Sequence, residues 1–427
     1  MKQLFTFLFS SCIIFAHAQT PEPDAVYMNI KSIKLFSQND QQSAPILNLG
    51  SSDLMELHFD DLDGYVKNYS YTFQLCNADW SEADLSPFDY IKGFTQNRLS
   101  QYRVSSIALT NYVHYQALLP DRGCVPSKSG NYLLKVFLNG NLNQMAFTKR
   151  FFVVQSKAAI GAQILQPFDN ELFRTHQRLQ FSIDATQLNP VNPQQQVKVV
   201  VQQNHRWDNA LTNLSPAFIR GNLLEYNGEK DCTFPAGKEY RWADLRSFRF
   251  ESERIDKVNR TVQPNDIYLK PDPARVAMRY AYYKDYNGWY EISSSESINP
   301  FWQGDYANVY FAFVPENNQP YPDKEVFLSG ELTNNQLGDS AKMKYNATKG
   351  IYEKTLFLKQ GYYSYTYLTK DFKNKRGVAD AAQTDGNFWE TENDYTIFVY
   401  FRSLSGRHDE LVAVSSVSSR TGRSGGF

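Results

Sequence analysis

Apolar and polar residues alternate with a period of two along much of this 427-residue chain, the spacing of half-buried β-strands. The clearest run is Tyr69 to Trp80, YSYTFQLCNADW. Tyr69, Tyr71, Phe73 and Leu75 share one face, and Ser70, Thr72, Gln74 and Cys76 share the other. Asn77, Ala78 and Asp79 follow as a turn that Asp79 caps, and Trp80 is placed to cover the end of a core. Between Tyr132 and Val154 the alternation runs out and back about Asn139-Gly140-Asn141, the signal of a hairpin.

The same pattern predicts strands over residues 28–36, 54–59, 111–119, 160–165, 179–183, 194–203, 248–253 and 277–283. A later group is predicted at 309–314, 326–329, 352–358, 362–368 and 395–401. Turn signals recur about every ten residues, as in immunoglobulin-like sandwiches. A short helical turn is expected near Pro87, and a proline-interrupted loop over 264–273. Length suggests about three domains at ~150 residues each. The expected fold is therefore all-β, with tandem immunoglobulin-like or early-set β-sandwich domains over 24–155, 158–290 and 299–402. The Ser-, Gly- and Arg-rich stretch 415–427 lacks apolar periodicity and is expected to be a disordered tail. The order of strands from Val326 to Leu368 resembles the early-set sandwich found beside starch- and glycogen-active enzymes. Its turn from Glu331 to Asn335 lacks the exposed tryptophan that carbohydrate-facing modules of that kind use.

Composition sharpens this picture. Aromatic residues make up 15% of the chain, with 28 Tyr and 30 Phe, an excess that favours strands. The 44 basic and 45 acidic residues nearly cancel, and no basic stripe exists, so nucleic acid is excluded as a partner. Lys2, the apolar run Leu4–Phe15 and Ala16-His17-Ala18 read as a cleaved signal peptide over 1–18. A lipoprotein-like site at Cys12 is the alternative. Cys76, Cys124 and Cys232 remain, and two readings stay open: a Cys76–Cys124 disulfide, or buried free thiols. No later run reaches the ~18 apolar residues of a spanning helix.

Candidate chemistry is sparse. The acidic turn Phe59-Asp60-Asp61-Leu62-Asp63-Gly64 fails as a calcium loop, because its twelfth position is Ser70; it reads as a solvated hairpin turn. No histidines stand at metal-ligand spacing, and nucleophile, phosphate-loop and dinucleotide motifs are missing. Cofactors expected: none. His114, between Val113 and Tyr115, reads as a structural histidine. Asp79 and Trp80 are read as turn cap and core edge rather than as a sugar platform. Arg206 and Trp207 are the candidate partner-binding residues, because both types are favoured at interface hot spots.

Five motifs in order complete the reading. Leu75-Cys76-Asn77-Ala78-Asp79-Trp80, Tyr90-Ile91-Lys92-Gly93-Phe94, Tyr112-Val113-His114-Tyr115, Ser129 to Val136 and Thr148-Lys149-Arg150-Phe151 together resemble the plug protein family of the type IX secretion system. The resemblance implies a non-enzymatic periplasmic subunit at the periplasmic face of the outer membrane. Its implied partner is the large outer-membrane translocon β-barrel, whose periplasmic end it binds and seals without inserting into the membrane. The competing readings are a periplasmic carbohydrate-binding sandwich protein and a glycoside-active enzyme with an unrecognised carboxylate pair.

Overall fold

The computed structural model describes residues 22–421 apart from 213, 375 and 376. The leader expected over 1–18 and residues 422–427 of the expected tail lie outside the described residues. Strands dominate, and no α-helix among the described residues exceeds the four residues of Pro87–Tyr90, Pro193–Gln196 and Pro300–Gln303. None is long and apolar enough to cross a membrane.

The first sandwich follows from the pattern at Tyr69. A four-stranded sheet has the order Ile30–Ser37, Met55–Asp61, Val113–Leu119, Gln101–Val104. It faces a five-stranded sheet ordered Ile46–Asn48, Met145–Val154, Gly130–Leu138, Tyr69–Cys76, Asn97–Arg98. Tyr132, Leu134 and Val136 sit opposite Leu75, Phe73 and Tyr71, so the alternating faces enter one core together. Phe59 packs its ring 5.2, 5.1 and 4.9 Å from those of Tyr69, Tyr115 and Phe147. Burying each such side chain stabilises the fold by about 1.5–3 kcal/mol. The expected hairpin turns at Asn139 and Gly140, whose φ angles of 54° and 68° suit a tight turn with the twist of the flanking strands.

The other two sandwiches are not consecutive in the chain. In the second, Ala159–Leu165, His176–Asp184, Leu223–Tyr226 and Phe218–Arg220 form one sheet, with Thr233–Pro235 also on His176–Asp184. The facing sheet is Val197–Gln203, Asp394–Phe401 and Glu410–Ser418. Val197 to Gln203 pair with Phe401 to Tyr395, so the end of the chain completes a sandwich begun some 200 residues earlier. The third sandwich is inserted between Pro235 and Asp394. It pairs Gly361–Asp371 with Arg241–Asp244, Tyr290–Ile292 and Lys324–Ser329, against a sheet centred on Tyr306–Val314 and Ile351–Lys359.

These pairings differ from the local reading in identifiable places. The sheets cross the division expected near residues 290–299, because Arg241–Asp244 joins Gly361–Asp371 and Asn265–Leu269 joins Tyr306–Val314. Asn265–Leu269 is a strand inside the expected proline loop; its parallel partner lies 42 residues away and is invisible to local pattern. Residues 248–253 and 277–283 are not strands. Over 277–283, side chains take the place of a ladder: the Tyr280 ring stacks 4.4 Å from Phe388, and the Tyr283 hydroxyl donates to the Glu239 carbonyl. Glu410–Ser418 runs as a strand into the expected tail. Cys76, Cys124 and Cys232 are all buried free thiols, so the disulfide alternative is not realised.

Candidate functional site

The strand Met55–Asp61 shows how the domains are held. Met55, Leu57 and Phe59 face the first core, leaving Glu56, His58 and Asp60 on the opposite face. A solvated polar face would be the ordinary outcome for an antiparallel sheet. Here the third sandwich covers it. Asp60 and Lys359 form an ion pair with both side chains 1% exposed. Asp60 also accepts from the Tyr306 hydroxyl at 2.5 Å and from His114 Nδ1 at 2.7 Å. Lys359 donates again to the Phe301 carbonyl, and the Phe301 ring stacks 3.9 Å from His58. The acidic turn is therefore not solvated at its start: Asp60 and Asp61 are both buried, Asp61 accepting from Tyr69.

Charge this deep is tolerated only where it is paired and hydrogen-bonded. Burial alone would raise the Asp60 carboxyl, but the Lys359 ammonium and the His114 bond more than offset it and hold it below its ordinary value. Burial pushes His114 down to about 4 against the pull of Asp60. The imidazole is accordingly neutral at pH 7, its Nδ1–H donated to the carboxylate. A second buried pair lies on the same face: Lys34 Nζ meets Glu331 at 2.6 Å and donates to the Tyr290 carbonyl at 2.8 Å. Burial lowers the Lys34 ammonium although Glu331 works against it. The turn that begins at Glu331, where early-set carbohydrate modules present an aromatic platform, is thus turned against the first sandwich.

The Asn77-Ala78-Asp79-Trp80 turn makes the junction with the second sandwich. Asn77 Oδ1 accepts from Arg402 at 2.6 Å, and the Ala78 amide donates to Asp409 at 3.1 Å. Arg402 and Lys198 also reach Asp409, at 2.7 and 3.0 Å. Behind them Phe152, Val154, Val200, Phe398 and Tyr400 form an apolar cluster spanning both sandwiches. Asp79 accepts from the Ser81 amide, the expected cap. Trp80 packs edge-on to Trp207 at 5.1 Å, covering this shared cluster rather than one core end.

Arg206 and Trp207 fall at the same junction and point apart. Arg206 is 7% exposed, its guanidinium held by Asp208 and by the Ala379 carbonyl at 3.0 Å. Trp207 is half-buried, with Arg150 centred 4.9 Å from its ring. Exposed apolar residues lie elsewhere, one group of them on the first sandwich. Gln101–Val104 is a sheet edge exposed at every residue; Phe94 and Ile107 on loops and Phe88 in the short helix Pro87–Tyr90 are 72%, 74% and 81% exposed. Sequence alternation marks Gln101–Val104 weakly because neither face is buried. Among the described residues no group of His, Cys, Asp and Glu is arranged to hold a metal ion.

Comparison with known proteins adds a family. Residues 30–155 match the family model for the type 9 secretion system plug protein 1st domain. The chain is also similar to a solved structure of a hypothetical protein from Parabacteroides merdae, with 32% identity and a TM-score of 0.89. That match covers 94% of this chain and all of the other. A search of curated proteins returns no match.

Proposed function

Because the chain belongs to the plug protein family of the type 9 secretion system, we propose that it is a non-enzymatic periplasmic subunit that binds and closes the periplasmic end of the system's large outer-membrane translocon barrel. The observation that carries this reading is the joining of the first sandwich to both others, to the third through the buried ion pairs Asp60–Lys359 and Lys34–Glu331 and to the second through the hydrogen bonds of Asn77 and Ala78 with Arg402 and Asp409. A stopper for a wide pore must resist deformation, and packed sandwiches joined by desolvated ion pairs move as one body far more readily than beads on a flexible linker. The exposed apolar loops around Phe94 and Ile107 and the free edge Gln101–Val104 supply the contact surface in this proposal. Their apolar and aromatic character is that of the centre of a protein interface. The carbohydrate reading loses its support where Glu331 is engaged by Lys34.

The test is affinity capture of the tagged chain from gently solubilised envelopes, with co-eluting proteins identified by mass. A stoichiometric barrel protein of very high mass is the expected result, lost when Phe94 and Ile107 are changed together to Asp. Elution of the chain alone would overturn the proposal.

A further inference from the structure

A cleft of about 400 Å³ opens where the three sandwiches meet, within the ~300–1,000 Å³ range of small-ligand sites. Its apolar walls come from all three: Phe152 and Leu35 from the first, Trp207 and Phe398 from the second, Trp289 from the third. The polar groups in it are unequally satisfied. Every carboxylate already has a cation: Asp24 holds Arg150, Asp208 holds Arg206, and Glu331 holds Lys34. The donors do not all have acceptors. Gln202 is 3% exposed and lines the cleft, yet its Nε2 makes no hydrogen bond among the described residues. It leaves Val197–Gln203 on the same face as Val200, which belongs to the junction cluster. Arg150 Nε, also buried, has no partner among the described residues either. At the lining, Lys370 forms no ion pair among the described residues, and Lys149 stands a loose 4.0 Å from Asp24.

The geometry points to a binding site for a carboxylate carried on an apolar or aromatic body. Setting aside the two carboxylates that Arg206 and Lys34 neutralise, Lys149, Arg150 and Lys370 face Asp24 alone, a surplus of positive charge beside unused donors. Such a site recognises an oxyanion through charge-assisted hydrogen bonds. Trp207 and Trp289 line the cleft and give the attached apolar group aromatic surface to pack on. A neutral sugar is the poorer fit, since its hydroxyls need free acceptors as well as donors. Two sources carry the required chemistry: the carboxy-terminal residue of a peptide, and a free fatty acid. A ligand seated here touches all three sandwiches, so its binding favours one relative arrangement of them. The site stands whether or not the barrel is the partner.

The experiment is isothermal titration calorimetry on the full chain with a short acetylated peptide ending in phenylalanine, the same peptide as its carboxamide, and octanoate. Saturable binding of a free acid is expected, with the carboxamide at least tenfold weaker than the acid peptide if the peptide is the source. If octanoate binds and the acid peptide does not, the source is a fatty acid. Gln202→Leu, which keeps the bulk and removes the donor, and Lys370→Ala on the half-buried lining are each expected to weaken the bound acid at least fivefold. Failure of both acids to bind would overturn the assignment. So would equal binding of acid peptide and carboxamide, or unchanged affinity in a Lys370→Ala chain that retains its native circular dichroism.

Discussion

Replacing Lys359 by Met tests whether the buried charges hold the first and third sandwiches together. The methionine keeps an unbranched chain of similar length and removes the ammonium. Asp60 is then left buried with, among the described residues, only the Tyr306 hydroxyl and His114 as partners. Breaking a buried pair by removing one member costs about 3–5 kcal/mol, because the remaining charge stays desolvated. With a urea m-value of about 2 kcal/mol/M for the transition, the midpoint should fall by about 1.5–2.5 M. Asp60→Asn alone should cost a similar amount, stranding Lys359 against the Phe301 carbonyl. The double variant contains no buried charge at this point, so its cost should fall short of the summed single costs by about 2 kcal/mol or more. The assay is urea unfolding followed by tryptophan fluorescence, since Trp289 and Trp302 lie beside this interface. A Lys359→Met midpoint within about 0.3 M of the parent, a shift worth only about 0.6 kcal/mol at that m-value, would refute the argument, as would strict additivity in the double variant.

Two further outcomes follow from burial elsewhere. Burial raises both Glu239 and Asp285 to about 7, with the Tyr280 hydroxyl opposing the shift at Glu239. A carboxyl whose folded pKa lies above its unfolded value contributes most stability below the unfolded pKa, near 4, and loses it as pH rises towards 7. Glu239→Gln should therefore flatten the decline in urea midpoint between about pH 4.5 and 7 and leave the variant more stable than the parent at pH 8; an unchanged profile would contradict it. Burial likewise pushes the thiols of Cys76, Cys124 and Cys232 up to about 12. A thiol reagent at pH 8 should leave these three unlabelled in the native chain and label all three in denaturant, as read by peptide mass.

Much of the first sandwich was legible because its strands announce themselves locally. The alternation from Tyr69 to Cys76 coincides with the observed strand, and Asn139-Gly140 turns the hairpin as its residues require. The junctions were hidden for a physical reason. Glu56, His58 and Asp60 carry the pattern of a solvent-facing strand surface, and nothing nearby announces that a sandwich 300 residues away supplies Lys359. The Asn77 to Trp80 turn stood out as a motif, yet its partners Arg402 and Asp409 lie over 320 residues downstream. Arg206 and Trp207 stand out by residue type, which does not register that Asp208 and Ala379 already occupy the guanidinium.

The late return of Asp394–Phe401 to Val197–Gln203 sets an order on how the molecule is made. The first sandwich has all its strands by Val154 and can assemble while later residues are still being synthesised. The second cannot: until Asp394–Phe401 has emerged, the apolar strand Val197–Gln203 has no ladder partner, and until Glu410–Ser418 follows, the sheet that closes its core is incomplete. For that interval the growing chain carries an open, β-prone edge, the kind of surface that drives mispairing. The inserted third sandwich brings the two ends of that gap together at Pro235 and Asp394, shortening the loop that must close. Its assembly ahead of the second would turn a search across some 190 residues into a local docking step.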